Sequence, residues 1–300
     1  MLKWLFVIDP LDKIDPSTDT TYVIMKESCS RKIEVFYCTI TDLYVEQVVG
    51  CLAKKIFFSE GIEVKSPNNM VLDDFDLIFM RKDPPYDINY HYATQLLSLT
   101  KSKVINAPES LRRFNEKLII FHFPNLIPPT IVTSNRTTVE SFLDRYGVVV
   151  MKSLESYQGK QVQKIEKKGD IPDLITPVMI QQSLPNITKG DKRVLILGDK
   201  FLGAVNRIPK QGFISNFGAG GVGIKTELTA NEMKIVELVG PFLQQHQIHF
   251  AGLDLIDGYL TEINITCPTG LQQINRLENK KLETEVVDYF LNCNYFKANL

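Results

Sequence analysis

Asp254, Glu262 and Asn264 lie in a segment, Phe250 to Thr266, where two apolar runs flank the dipeptide Asp257-Gly258. Asp-Gly between alternating apolar residues predicts a tight antiparallel hairpin. Pairing across it brings Asp254 near Leu260 to Glu262, and alternation puts Glu262 and Asn264 on one face. Carboxylate and amide oxygens with no imidazole or thiolate among them suit Mg²⁺, which keeps waters and phosphate oxygens in its shell. The same spacing also describes the solvent-facing side of an ordinary hairpin, so the residues alone leave both readings open.

Positive charge accompanies these oxygens. Lys117 ends a polar helix-like run and Lys152 ends the apolar run Val148 to Met151. Lysines at strand ends are usually solvated, but two ammonium groups near a divalent cation would neutralise the β- and γ-phosphoryl oxygens of a nucleotide. Arg193 and Arg207 could grip a carboxylate or phosphoryl group through bidentate contacts. Arg81-Lys82-Asp83-Pro84-Pro85 follows the apolar run Leu77 to Met80, at the strand end where open α/β sheets bind ligands, or else forms a salt-bridged turn. The four histidines show no metal-ligand spacing with an acidic partner, and neither Gly-x-Ser-x-Gly nor His-Glu-x-x-His occurs.

Something must hold these residues in place. Leu5 to Ile8, Ile33 to Tyr37 and Leu77 to Met80 read as strands of a first α/β unit. Ser110 to Leu118 reads as a helix opened at Ser110, and Pro124, Pro128 and Pro129 mark a junction near residue 120. Thr130 to Val132, Val148 to Lys152, Gln161 to Ile165 and Val178 to Gln181 read as strands of a second, smaller unit. Arg193 to Leu197 and Phe201 to Val205 predict a hairpin across Gly198-Asp199-Lys200, with a loop longer than the shortest kind. Residues 210–223 hold five of the 17 glycines, a density fitting a mobile segment, a backbone passing close to a ligand, or a plain surface loop; no Gly-Lys-Ser/Thr makes it a Walker A loop. Thr229 to Gln245 has helical spacing with a break or kink expected at Pro241.

Composition excludes several classes. Over 300 residues, 34 Lys and Arg balance 35 Asp and Glu for a net charge of −1, which leaves no footprint for nucleic acid or an anionic membrane. The apolar run at the N-terminus stops at Asp9, too short to span a bilayer and without a cleavage site. Cys29, Cys38, Cys51, Cys267 and Cys293 are odd in number with no Cys-x-x-Cys, so neither a disulfide framework nor zinc is expected, and a reducing cytoplasm is.

Taken in order, Asp9-Pro10, Met80 to Pro85, Ser110-Leu111-Arg112 with Asn115 to Leu118, Gly190 to Val194, Arg207-Ile208-Pro209, Ala219-Gly220-Gly221 and Gly252 to Asn264 resemble bacterial glutathione synthetases over essentially the whole chain. The resemblance implies an α/β ATP-grasp fold preceded by an N-terminal α/β (pre-ATP-grasp) domain. That domain would span 1–118, a lid 119–185 and a C-terminal subdomain 186–300. It implies that Lys117, Lys152, Leu154, Gln181, Gln182, Ser183, Leu184 and Asp191 bind ATP, that Asp254, Glu262 and Asn264 hold Mg (or Mn), and that Arg207 and Arg193 stabilise transferring charge. The reaction implied joins γ-glutamylcysteine to glycine through an acyl phosphate in a cytoplasmic homo-oligomer. The alternatives are an ATP-grasp-like nucleotide-binding protein with little ligase activity and a ligase with another amine acceptor. Two loops depart from the family. Its usual Lys-Pro-Leu-Asp-Gly-x-Gly-Gly reads Lys152-Ser153-Leu154-Glu155-Ser156-Tyr157-Gln158-Gly159 here, and Ile214 or Ser215, and Val222, stand near the places where arginines are usual.

Overall fold

The computed structural model describes residues 1–155 and 162–292; the expectations at Ser156, Tyr157, Gln158, Gly159, Gln161 and Cys293 lie outside the described residues. The chain forms three sheets in sequence order. The first comprises β1 (Lys3–Val7), β2 (Glu34–Cys38), β3 (Leu43–Val45), β4 (Val49–Phe58), β5 (Ile62–Val64), β6 (Asn68–Val71), β7 (Leu77–Met80) and β8 (Lys103–Ile105). Its spine runs β3-β4-β2-β1-β7-β8, with β5 and β6 pairing onto β4. β1, β2, β7 and β8 are parallel, and helices α1 (Thr20–Ser30) and α2 (Ile88–Leu97) provide crossovers. The strands that face helices on both sides are near-continuous apolar runs, such as Leu77–Met80, as buried parallel strands require.

The expected helix from Ser110 to Leu118 is two pieces. Helix α3 (Pro108–Arg113) begins two residues earlier than expected, with proline in its first turn, and ends before the extended residue Phe114. Asn115 stops it: its side-chain oxygen accepts the backbone N–H of Lys117 at 2.9 Å and of Leu118 at 3.3 Å, competing with helical bonding. A 3₁₀ turn, Leu118–His122, follows.

The second sheet is antiparallel, ordered β11-β10-β12-β9 from β9 (Thr130–Thr133), β10 (Val149–Ser153), β11 (Val162–Ile165) and β12 (Val178–Gln182). Helix α4 (Arg136–Tyr146), capped by the Asn135 side chain, lays Val139, Phe142 and Leu143 on it to make a small separate core. The third sheet is antiparallel too, ordered β15-β14-β13-β16-β17 from β13 (Asp191–Leu197), β14 (Lys200–Ile208), β15 (Val222–Lys225), β16 (Phe250–Ile256) and β17 (Tyr259–Asn264). First and third sheets share two large cores, in which Phe6 and Phe79 pack with Leu195, Phe250 and Phe290.

Two turns differ from expectation. Leu197 pairs with Lys200, so the β13–β14 loop is the two-residue kind, made possible by the positive φ of Gly198. Helix α5 (Ala230–Gln245) passes through Pro241 without ending. Pro241 lies on the exposed face, where the carbonyl that loses its partner can meet water. Thr229 and Glu232 close a reciprocal capping box at its start. Helices α6 (Leu271–Glu278) and α7 (Leu282–Asn292) complete the described chain.

Candidate active site

The site follows from strand register. Asp257 and Gly258 both have positive φ, the signature of the tight hairpin turn joining β16 to β17. Asp254 stands opposite Glu262, and the register then shifts, leaving Thr261 as an extra residue whose hydroxyl donates to the Asp254 carbonyl at 3.0 Å. Such bulges re-aim side chains at functional sites. Asp254 also stands opposite Arg193, and Arg207 opposite Asp191. Cross-strand partners and residues two apart share a face. Asp191, Arg193, Arg207, Asp254, Glu262 and Asn264 therefore line one side of the third sheet.

That side walls a cleft of about 530 Å³, a size suited to a nucleotide-scale ligand. The second sheet contributes Val150, Lys152 and Gln181 through Leu184, and the first contributes Asp83 and Pro84 beyond β7. Residues 212–218 of the glycine-rich loop close another side. Of the expected residues, Lys117, Lys152, Gln181, Gln182, Ser183, Leu184, Asp191, Arg193, Asp254, Glu262 and Asn264 all line it. Gln182 ends its strand, and Ser183 and Leu184 continue past it. Leu154 instead packs against the large core, with its carbonyl accepting the Asn115 amide at 3.0 Å. Arg207, 2% exposed, shares that face but does not line the cleft, being covered by the Phe217 ring 6.0 Å away.

Both arginines bind bidentately, but to carboxylates of the protein. Arg207 meets Asp191 and Asp254, while Arg193 donates to both Asp254 oxygens at 2.7 and 3.2 Å. Burial opposes ionisation of Asp254, yet the two guanidiniums hold it well below the usual carboxylate range. Oδ2 is met by Arg193, Arg207 and the Asn264 amide, whereas Oδ1 is met by Arg193 Nε, so Oδ1 is the oxygen that retains capacity toward the cleft. The Asn264 amide nitrogen faces the Gly252 carbonyl and Asp254 Oδ2 at 3.2 and 3.3 Å, which leaves its oxygen as the ligating atom. With Glu262, one-fifth exposed at the cleft, this donor set is chemically right for a hard divalent cation shared with phosphate.

Cationic groups face those oxygens. Lys117, 4% exposed, places Nζ 3.5 Å from Glu262 Oε1, and Lys152 donates to Gln181 Oε1 at 3.0 Å. Burial pushes the Lys152 ammonium down from its ordinary value; Glu262 opposes that and Lys117 adds to it. Two ammonium groups lining one cleft create a local demand for a polyanion.

Reading the sequence alone missed Glu116 and Cys267 as cleft residues, whereas Asp83 and Phe217 lie in the strand-end segment and the glycine-rich loop already read as possible ligand approaches. Glu116 adjoins Lys117, and adjacency to a candidate phosphate ligand was its one available signal. Cys38, Cys51 and Cys267 are buried free thiols, and burial pushes the Cys29 thiol up to about 11.

A cleft between two antiparallel sheets, lined by Lys152 from one, a carboxylate hairpin from the other and Lys117 from the segment after α3, behind an α/β first domain, defines an ATP-grasp enzyme. The fold agrees with solved structures: a RiPP-associated ATP-grasp ligase of Chryseobacterium gregarium matches with a TM-score of 0.66 at 15% identity, over 98% of this chain and 97% of that one. D-cycloserine synthetase DcsG matches at 0.65 with 12% identity, over 97% and 100%. The family models for the prokaryotic glutathione synthetase N-terminal domain and ATP-grasp domain match residues 2–112 and 116–279. The chain belongs to the prokaryotic glutathione synthetase family. Among curated relatives, the glutathione synthetase of Prochlorococcus marinus is 38% identical over 95% of this chain and 97% of its own length. That of Synechocystis sp. is 36% identical over 95% and 98%. Relatives of this name along nearly the full chain favour a ligase over a nucleotide-binding protein with little activity. No helix among the described residues is long and apolar enough to cross a membrane.

Proposed function

We propose that this chain is an ATP- and Mg-dependent ligase that forms glutathione from γ-glutamylcysteine and glycine through an acyl phosphate. The observation that carries the reading is the convergence of Lys117 and Lys152 on the Asp254, Glu262 and Asn264 wall of one cleft. Full-length similarity to glutathione synthetases supplies the substrates.

Lys117 and Lys152 would bind the phosphates, Gln181 and Gln182 through Leu184 would border the nucleotide base, and Asp191 would fix Arg207. Asp254, Glu262 and Asn264 would hold Mg²⁺, which supplies charge neutralisation on the transferring phosphoryl group. The γ-phosphoryl passes to the C-terminal carboxylate of γ-glutamylcysteine, and ADP leaves. The glycine amine then forms the amide bond as the acyl–oxygen bond breaks, losing a proton and releasing phosphate. Arg193, on the cleft wall, stabilises the oxyanion, whereas Arg207 acts through Asp254 and Asp191. The 212–218 loop covers the acyl phosphate against water. We place the domain boundaries near 118 and 185, where the sheets change. Cytoplasmic residence and a homo-oligomeric assembly follow the same resemblance.

Phosphate release from ATP and Mg²⁺, with γ-glutamylcysteine and glycine omitted in turn, tests the reading. Release that requires both is expected. Nucleotide-induced thermal stabilisation without turnover across a panel of amine acceptors overturns it.

A further inference from the structure

β17 is the outer strand of the third sheet, so one row of its backbone N–H groups has no sheet partner. Ile263 and Ile265 point their N–H groups to that open side, and a buried N–H needs an acceptor. Glu116 supplies both. Its main-chain carbonyl accepts Ile263 N–H at 3.0 Å, and its Oε1 accepts Ile265 N–H at 2.7 Å, Thr266 N–H at 2.8 Å and the Thr266 hydroxyl at 2.9 Å. A single residue thus stands in for a neighbouring strand, making four hydrogen bonds to Ile263, Ile265 and Thr266.

The residues on either side give this contact its consequence. With Ile263 and Ile265 bonded outward to Glu116, the alternate residues Glu262 and Asn264 bracket Ile263 on the face that lines the cleft. On the other side of the contact, the next residue after Glu116 is Lys117, whose ammonium lies 3.5 Å from Glu262. Glu116 therefore sets the offset between the candidate metal-binding strand and the candidate phosphate lysine, Glu262 lying 145 positions after Lys117 in the sequence. We infer that Glu116 is a positioning residue for the nucleotide–metal site, acting by the reach of its side-chain oxygen and not by its charge. This rests on the ligase reading above.

Reach and charge are separable by substitution. Glu116→Gln keeps an oxygen acceptor at the same distance and removes the charge; Glu116→Asp keeps the charge and withdraws the acceptor by one methylene. The readouts are KM for MgATP, KM for γ-glutamylcysteine, kcat and melting temperature of the full chain. Glu116→Asp is expected to raise KM for MgATP about tenfold or more, since loss of several hydrogen bonds displaces both ligands, with KM for γ-glutamylcysteine moving less than about threefold. Glu116→Gln is expected to stay within about threefold of the parent on both. The reverse ranking, with Gln impaired and Asp near the parent, overturns the inference, as does an equal loss in both variants or an unchanged KM for MgATP in Asp. A parent protein without turnover marks failure of the ligase reading itself, and binding of MgADP by calorimetry then applies the same ranking to affinity.

Discussion

Arg207 and Asp191 meet fork on fork, Nε to Oδ1 and Nη2 to Oδ2 both at 2.6 Å, with Asp254 Oδ2 3.0 Å from the same guanidinium. Arg207 at 2%, Asp191 at 6% and Asp254 at 4% exposure leave little water to take over these contacts. Removing the cation takes the guanidinium from buried Asp191, while Asp254 keeps Arg193, and breaking such a buried pair costs roughly 3–5 kcal/mol. Arg207→Met should lower the melting temperature by about 10 °C. Arg207→Lys should recover little of it, because an ammonium cannot reproduce the fork. A shift below about 2 °C for the methionine variant in a thermal melt contradicts the arrangement.

Glu262 presents the opposite case: it reaches the cleft, where Lys117 pairs with it. Glu262→Ala should leave the melting temperature close to the parent while cutting kcat/KM by about 100-fold or more, the scale for losing electrostatic stabilisation of a transferring group. Raising the Mg²⁺ concentration should restore part of the loss. Turnover unchanged across a Mg²⁺ titration refutes the metal assignment.

Stability should depend on pH through His249, which is 3% exposed beside Tyr289. Burial, with Lys103 adding, pushes its imidazole from 6.5 to about 4. Between those values the unfolded chain holds the proton and the folded chain does not. Stability from this group is therefore complete above about 6.5 and declines as pH falls toward 4, by up to ~1.4 kcal/mol per pH unit. Urea unfolding at several pH values should show that decline in the parent. The difference between parent and His249→Asn should shrink toward acid, and a pH-independent difference rules out the linkage.

Gly221 sets the shape of the loop beside the cleft. A Cβ there would come within 1.8 Å of the Ser215 carbonyl oxygen, and Gly221 N–H already bonds Asn216 O at 3.1 Å. Gly221→Ala must displace residues 215–221, so kcat/KM should fall by about 100-fold, with the melting temperature within about 3 °C of the parent because the loop is peripheral to the cores. An active Gly221→Ala would mean that this loop conformation is dispensable.

The hairpin bearing Asp254, Glu262 and Asn264 was legible because period-two alternation and an Asp-Gly turn are local signals, and the register followed from them. Lys152 was legible as a strand end but not as half-buried, since that comes from sheet packing beside the cleft. β3 to β6 were missed: β3, β5 and β6 are short, and in the longer β4 Lys54 and Lys55 interrupt the apolar pattern. The helix over Ser110 to Leu118 was misjudged because one side chain, Asn115, captures two backbone donors, a choice that propensity does not reveal. Glu116 works through main-chain donors 147 to 150 residues away, by Ile263 to Thr266, and no spacing rule reaches that far. Arginines 193 and 207 were read correctly as bidentate, but their carboxylates are internal.

The central claim is that the chain activates a carboxylate by phosphorylation before amide formation. γ-Glutamylcysteine labelled with ¹⁸O in its C-terminal carboxylate tests it directly, with ATP, Mg²⁺ and glycine and mass analysis of the phosphate released. One labelled oxygen per phosphate, formed in step with glutathione, is the predicted result. Unlabelled phosphate accompanying glutathione formation contradicts the account.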